Sequence, residues 1–164
     1  MRSVAAIGGR RPRVLASLGH RVSSVDLSPV GVRKARETAR RHSVEIDAQV
    51  GDLEHFDLGL RRWDLVVSIY YHLPSSVRRD VHRRVIECLW PGVRFLLEAY
   101  DVANIGRGVG GPQSNDMTIE SAELENQFRG WTISVSRTIE RDITASTYHN
   151  GLSSTKQFLA AKSS

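Results

Sequence analysis

Two carboxylates in this chain stand where apolar runs stop. Asp26 closes Arg21-Val22-Ser23-Ser24-Val25, a run with strand propensity, and Ser28-Pro29 behind it reads as a helix N-cap followed by proline at the first helical position. In a nucleotide-binding α/β sheet, a carboxylate at the tip of the second strand accepts hydrogen bonds from both ribose hydroxyls. The plainer alternative is an exposed Asp ending a strand. Asp52, in Gly51-Asp52-Leu53, is a second strand-end carboxylate or a turn-former. Gly8-Gly9 follows the apolar Val4-Ala5-Ala6-Ile7 and either lets backbone approach a ligand closely or makes an ordinary tight turn. His72, in Tyr70-Tyr71-His72-Leu73-Pro74, titrates near neutrality and is the base candidate; as a cap or an exposed side chain it needs no chemistry.

These residues have to be held by strands and helices, and the pattern supplies them in alternation. After Gly8-Gly9, Val14, Leu15 and Leu18 recur at helical spacing, and Gly19 closes that helix. Pro29 to His42 reads as a helix with Val30, Val32 and Ala35 apolar. Val44 to Val50 alternates as a third strand. Trp63-Asp64-Leu65-Val66-Val67-Ser68-Ile69 is nearly continuous in apolar character, which marks a central strand buried on both faces. A helix is expected from Ser75 to Leu89, broken by Trp90-Pro91-Gly92 ahead of a fifth strand, Val93 to Tyr100.

Asp101 to Met117 is rich in Gly, Asn and Pro and longer than a connector needs, as expected of an active-site lid. A brief helix near Ser121 to Phe128 precedes two alternating segments, Trp131 to Ile143 and Gly151 to Lys162, which read as a terminal antiparallel pair. The expectation is a single α/β domain over residues 1–164, with a mainly parallel, doubly wound sheet and helices on both faces. Its ligand crevice lies at the carboxyl ends of the strands. Gly8, Gly9, Asp26, Asp52, Ser68 to His72 and Tyr100 all fall on that one rim.

Bulk properties narrow the function. The chain has 164 residues and a net charge of +5. Its arginine pairs, Arg78-Arg79 and Arg83-Arg84 among them, are scattered without aromatic interleaving. They read as solvated faces, and no nucleic-acid partner is expected. The single cysteine, Cys88, cannot make an internal disulfide and sits on the apolar side of a helix, which suits a core role in a reducing cytoplasm. No apolar run reaches the length of a membrane span, so no membrane partner is expected, nor is a metal.

Leu15-Ala16-Ser17-Leu18-Gly19-His20-Arg21-Val22, Val25-Asp26-Leu27-Ser28-Pro29-Val30-Gly31, Gly51-Asp52-Leu53, Trp63 to Ile69 with His72-Leu73-Pro74, Leu89-Trp90-Pro91-Gly92, Leu96 to Tyr100 and Gly110-Gly111-Pro112 are specific by their order and spacing. With them the chain resembles class I S-adenosylmethionine-dependent methyltransferases, particularly the tellurite-resistance and thiopurine-methyltransferase-like group. That resemblance implies a Rossmann-like sheet of seven strands with the last antiparallel, and S-adenosyl-L-methionine across the strand ends. It implies that Asp26 holds the ribose, that Leu27 packs on the adenine, that Asp52 and Leu53 meet the adenine edge, and that Ser68 lines the methionine end. His72 becomes the candidate base, Tyr71 and Tyr100 the acceptor walls, and Arg107 in the lid an attractor for an anionic small-molecule acceptor. The first glycine loop departs from the family, carrying Arg10 among its glycines, and an N-terminal covering helix is missing. A methyltransferase-fold binding module is therefore the alternative, while the absence of a spaced G-x-G-x-x-G disfavours a dinucleotide oxidoreductase.

Overall fold

The computed structural model describes residues 2–8, 12–146 and 149–163, with side chains throughout these except at 143–146, 149 and 150. The chain runs β1 (Ser3–Ile7), α1 (Pro12–Ser17), β2 (Arg21–Asp26), α2 (Pro29–Arg41), β3 (Asp47–Val50), β4 (Trp63–Ile69), α3 (Ser75–Cys88), β5 (Leu89–Tyr100), α4 (Ser121–Gln127), β6 (Thr132–Ser146) and β7 (His149–Ala161). Two 3-10 turns, Val102–Asn104 and Asn115–Met117, shape the segment between β5 and α4. The strands form one seven-stranded sheet in the order β3-β2-β1-β4-β5-β7-β6. The first five pair in parallel, and β7 is antiparallel to both neighbours. Strand order reverses between β1 and β4, so the carboxyl ends of those two strands open the crevice that such sheets use for ligands.

β1 and β4 are apolar because both faces are covered. Val4, Ala6, Val22 and Val67 pack on one side with Leu15 and Ala16 of α1. Ile7, Val25, Val66, Phe95, Leu97 and Phe158 pack on the other with Val81, Val85 and Cys88 of α3 and with Leu124 and Phe128. Phe128 stacks on Phe95 at 4.9 Å between ring centroids and lies 5.4 Å from Phe158, which seats α4 against the sheet.

Several sequence expectations shift at this level. The third strand is only Asp47–Val50, because Ser43 takes φ +53° and the Val44 N–H turns back onto the Ala39 carbonyl at 3.1 Å, drawing Val44 into the end of α2. Pro91-Gly92 does not separate helix from strand. α3 runs directly into β5, and the pair forms a bulge inside the strand, where the pairing jumps from Trp63↔Leu89 to Leu65↔Arg94. Val14, Leu18 and Val30 are exposed, so the buried stripe of α2 is Val32, Ala35 and Ala39. The arginine pairs are not uniformly solvated either, since Arg78 is 3% exposed.

Candidate active site

The floor of the crevice depends on a missing side chain. Gly8 follows β1 with φ +86°, and a Cβ there would stand 2.5 Å from the Ile69 carbonyl oxygen, so only glycine lets the β1 and β4 tips approach this closely. Its N–H donates to the Val25 carbonyl at 3.3 Å. Gly9 and Arg10, the rest of the anticipated glycine loop, lie outside the described residues.

At the next tip, Asp26 ends β2 and sits over the start of α2, where the orphan N–H groups of a helix favour negative charge. Asp26 Oδ1 accepts the Ser28 N–H at 2.8 Å, and Ser28 Oγ caps the helix by accepting the Gly31 N–H at 3.1 Å. Gly31 leaves room for the carboxylate; a Cβ there would lie 2.9 Å from Oδ2. Leu27 is exposed beside it.

The β3 tip is locked to β2 by the Gly51 N–H, which donates to the Asp26 carbonyl at 3.1 Å. Asp52 Oδ1 accepts the Glu54 N–H at 3.0 Å, while its carbonyl takes the Phe56 N–H at 2.7 Å. No helix fills the connection from β3 to β4. Arg84 of α3 holds that connection instead, donating to the carbonyls of Leu53 and of Phe56, the latter at 2.8 Å. Leu53 has its side chain fully in the core. Burial pushes the nearby Tyr71 phenol above its ordinary value, with the Leu53 backbone opposing and the Asp52 and Asp26 charges adding to the rise.

Beyond β4 the chain turns at Tyr70, a non-glycine residue at φ +50°, which places a cluster of rings over the β4 and β5 ends. Tyr70 and Tyr100 lie 4.9 Å apart, and His72 stacks on Tyr100 at 5.3 Å with 15° between ring planes. The Tyr70 hydroxyl accepts from Arg141 at 2.7 Å, and Arg141 also pairs with Glu98 at 2.5 Å. Ser68, nearly buried, lies below at the β4 end.

The segment anticipated as a lid is present and closely tied down. Gly111, at φ +84°, lays its backbone against the Tyr100 ring in the space a Cβ would need. Buried Asn104 donates to the Gly110 carbonyl and accepts the Ser154 N–H, each at 3.0 Å. Asp101 accepts from Thr138 at 3.0 Å and pairs with buried Lys156 at 3.3 Å. Arg107 is held by the Ala103 carbonyl at 2.8 Å and Glu140 at 2.5 Å, so its charge is already matched.

The structure thus brings Gly8, Asp26, Asp52, Leu53 and Ser68 to one crevice and His72 and Tyr100 to its β5 side. Tyr71 reaches to the β3 side rather than standing with Tyr100. Sequence reasoning passed over Arg84, Arg78 and Arg141, each of which holds part of the rim. Successive strand-tip carboxylates beside a glycine floor at a strand-order reversal make this rim the candidate ligand site.

Comparison with known proteins gives the family. A methyltransferase domain model matches residues 4–92, more than half of the chain, and the chain belongs to that family. It is 39% identical over 75 residues to a ribosomal protein L11 methyltransferase from Symbiobacterium thermophilum. That match spans 46% of this chain and 23% of the relative's length. A crystal structure of a SAM-dependent methyltransferase from Methanosarcina mazei superposes with TM-score 0.75 at 16% identity, covering 99% of this chain and 92% of that one. Magnesium protoporphyrin IX methyltransferase from Synechocystis PCC 6803, solved with bound SAH, gives TM-score 0.71 at 17% identity over 98% and 74%.

Proposed function

We propose that this chain binds S-adenosyl-L-methionine through Asp26, Asp52 and the Leu53 backbone and transfers its methyl group to a small-molecule acceptor held under the ring cluster. The observation that carries the reading is the row of strand tips: the Gly8 floor, then Asp26, then Asp52-Leu53, each presenting acceptors or a donor suited to ribose hydroxyls and a purine edge. The Asp26 and Asp52 carboxylates at adjacent strand tips supply the acceptors that ribose hydroxyls and the adenine amine require, so the residues fit this cofactor.

The bound cofactor supplies an electrophilic methyl on a sulfonium. The protein's part is alignment, since a group held at attack distance and angle gains most of its rate from position. Tyr70, His72 and Tyr100 make an aromatic wall at the β5 side, and the backbone at Gly111 closes on it, which excludes water and favours a compact acceptor. His72 stands in that wall as the group that takes the acceptor's proton when one has to leave. A protein acceptor, as in the name of the Symbiobacterium relative, is less suited to a wall covered by residues 101–117.

The test is calorimetric titration of S-adenosylhomocysteine into the protein and into Asp26→Ala. Hydrogen bonds to a charged group contribute ~1.5–3 kcal/mol each. The variant is expected to lose binding by at least tenfold while keeping its circular dichroism; unchanged affinity overturns the assignment.

A further inference from the structure

We propose that the chain carries a second ligand site, separate from the strand-tip crevice and lying beneath the connection from β3 to β4, and that this site takes a small aromatic amino acid. It stands independently of the donor-binding reading above.

The site follows from a missing helix. Between β3 and β4 the chain passes as an irregular segment, so the connection lays no helix over the face of β1 and β2 that Ala5 and Val25 share with α3. What remains there is a cavity of about 330 Å³, within the roughly 300–1,000 Å³ of small-ligand pockets. Ala5, Ser23 and Val25 form a floor of small side chains, and Phe56, Leu58 and Trp63 stand around it.

The roof is fastened, which keeps the space open. Arg84 holds the Phe56 carbonyl at 2.8 Å, the Trp63 indole N–H donates to the Leu58 carbonyl at 2.8 Å, and Asp57 Oδ1 accepts the Gly59 N–H at 2.8 Å. Phe56 also lies against Gly51, where a Cβ would come within 2.7 Å of its ring. Protein interiors pack closely and leave few voids larger than a water, so a propped space of this size is a pocket rather than a packing fault.

The lip sets the chemistry. Arg62 and Asp57 line the same cavity, both are exposed, and among the described residues neither is ion-paired. The Arg62 guanidinium instead lies 4.7 Å over the Trp63 ring, with its stem along Gly59, which places an unused set of N–H donors at the mouth. On the β3 side, Asp47 Oδ2 accepts from Ser23 Oγ at 3.3 Å and from Gln49 Nε2 at 2.7 Å, leaving the Ser23 lone pairs and the Gln49 amide oxygen as acceptors. Rings for a ring, a cation for a carboxylate, and Asp57 with neutral acceptors for an ammonium together describe an aromatic zwitterion.

Calorimetric titration of L-phenylalanine, 3-phenylpropionate and phenethylamine into the parent, Arg62→Gln and Asp57→Asn tests this, each repeated with S-adenosylhomocysteine present. Phenylalanine is expected to bind saturably and more tightly than either singly charged analogue. Arg62→Gln should weaken phenylalanine and phenylpropionate roughly two- to fivefold, the strength of one exposed ion pair, and leave phenethylamine unchanged. Asp57→Asn should weaken phenylalanine and phenethylamine to a similar degree and leave phenylpropionate unchanged. Both side chains are exposed, so the variants should keep the circular dichroism of the parent. The site is overturned if phenylalanine does not bind saturably, if an analogue binds as tightly, or if either substitution leaves phenylalanine affinity unchanged. Competition by S-adenosylhomocysteine would put the probe in the crevice and overturn it equally.

Discussion

His72 and His82 show how far one residue type can be driven apart by its surroundings. His72 lies in the ring wall against Tyr100, where a change to alanine removes the proposed base and a stacking partner. With any acceptor that turns over, His72→Ala is expected to lower kcat by ~10²–10⁴ while the dissociation constant of S-adenosylhomocysteine changes little. Equal rates would make the histidine a packing residue. His82 is enclosed by Phe95 and Phe128, and its Nδ1 hydrogen-bonds Gln127 Oε1. Burial pulls its pKa from 6.5 down to about 4, with Arg78 pushing the same way and Gln127 and Glu123 opposing. Because the folded value lies below the unfolded one, the unfolded chain takes up the proton first. The stabilisation is whole above pH 6.5 and is lost as pH falls toward 4, about 3 kcal/mol in all. The urea midpoint of the parent should drop across that window, and more steeply than that of His82→Phe. Asp80 and Asp116, both held low by their hydrogen-bond donors, add acid sensitivity only below that range.

Among the elements, α3 organises the site from behind. Arg78 grips Glu123 through two hydrogen bonds of 2.8 Å and donates to the carbonyls of Leu73 at 2.8 Å and Asp116 at 3.0 Å. Asp116 in turn caps α3 by accepting the Ser75 N–H at 3.0 Å, a position where Pro74 offers no side-chain cap. One guanidinium so joins the His72 loop, the base of the 101–117 segment and α4. Arg78→Ala leaves a carboxylate and two carbonyls short of a donor, which should cost about 3 kcal/mol, the lower end for a pair with one partly exposed partner. In a chain of this length that is a fall of roughly 6–12 °C in Tm by calorimetry; a shift under 2 °C would show that the pair is dispensable.

This arrangement also marks the limit of reading α3 from sequence. Arg78, Val81, His82, Val85 and Cys88 keep the spacing of a buried stripe, but the residue types at two of them indicate solvent. What makes Arg78 a core residue is chemistry 38 to 45 positions away, which local pattern does not contain. The opposite holds at Arg21–Pro29. Strand, terminal carboxylate, serine cap and helix there depend only on neighbours in the chain, and each lies where the sequence places it. The placement of Tyr71 is again non-local, since its Cβ stands over Gly8 at the β1 tip.

At the scale of the whole molecule, the sheet is assembled from distant parts, and β1 feels this most. It lies mid-sheet between β2 and β4, with Val4 and Ile7 essentially inaccessible, and the Ser3 N–H is tied to Asp64 across 61 positions at 2.7 Å. During biosynthesis that order becomes a delay. At ribosomal rates of ~5–20 residues per second, β1 waits roughly 3 to 12 seconds for its β4 neighbour to be made, with one long edge and one apolar face open to other chains. The strand that floors the crevice thus keeps one edge open until β4 is made, and the nascent chain is expected to need a holding chaperone over that interval.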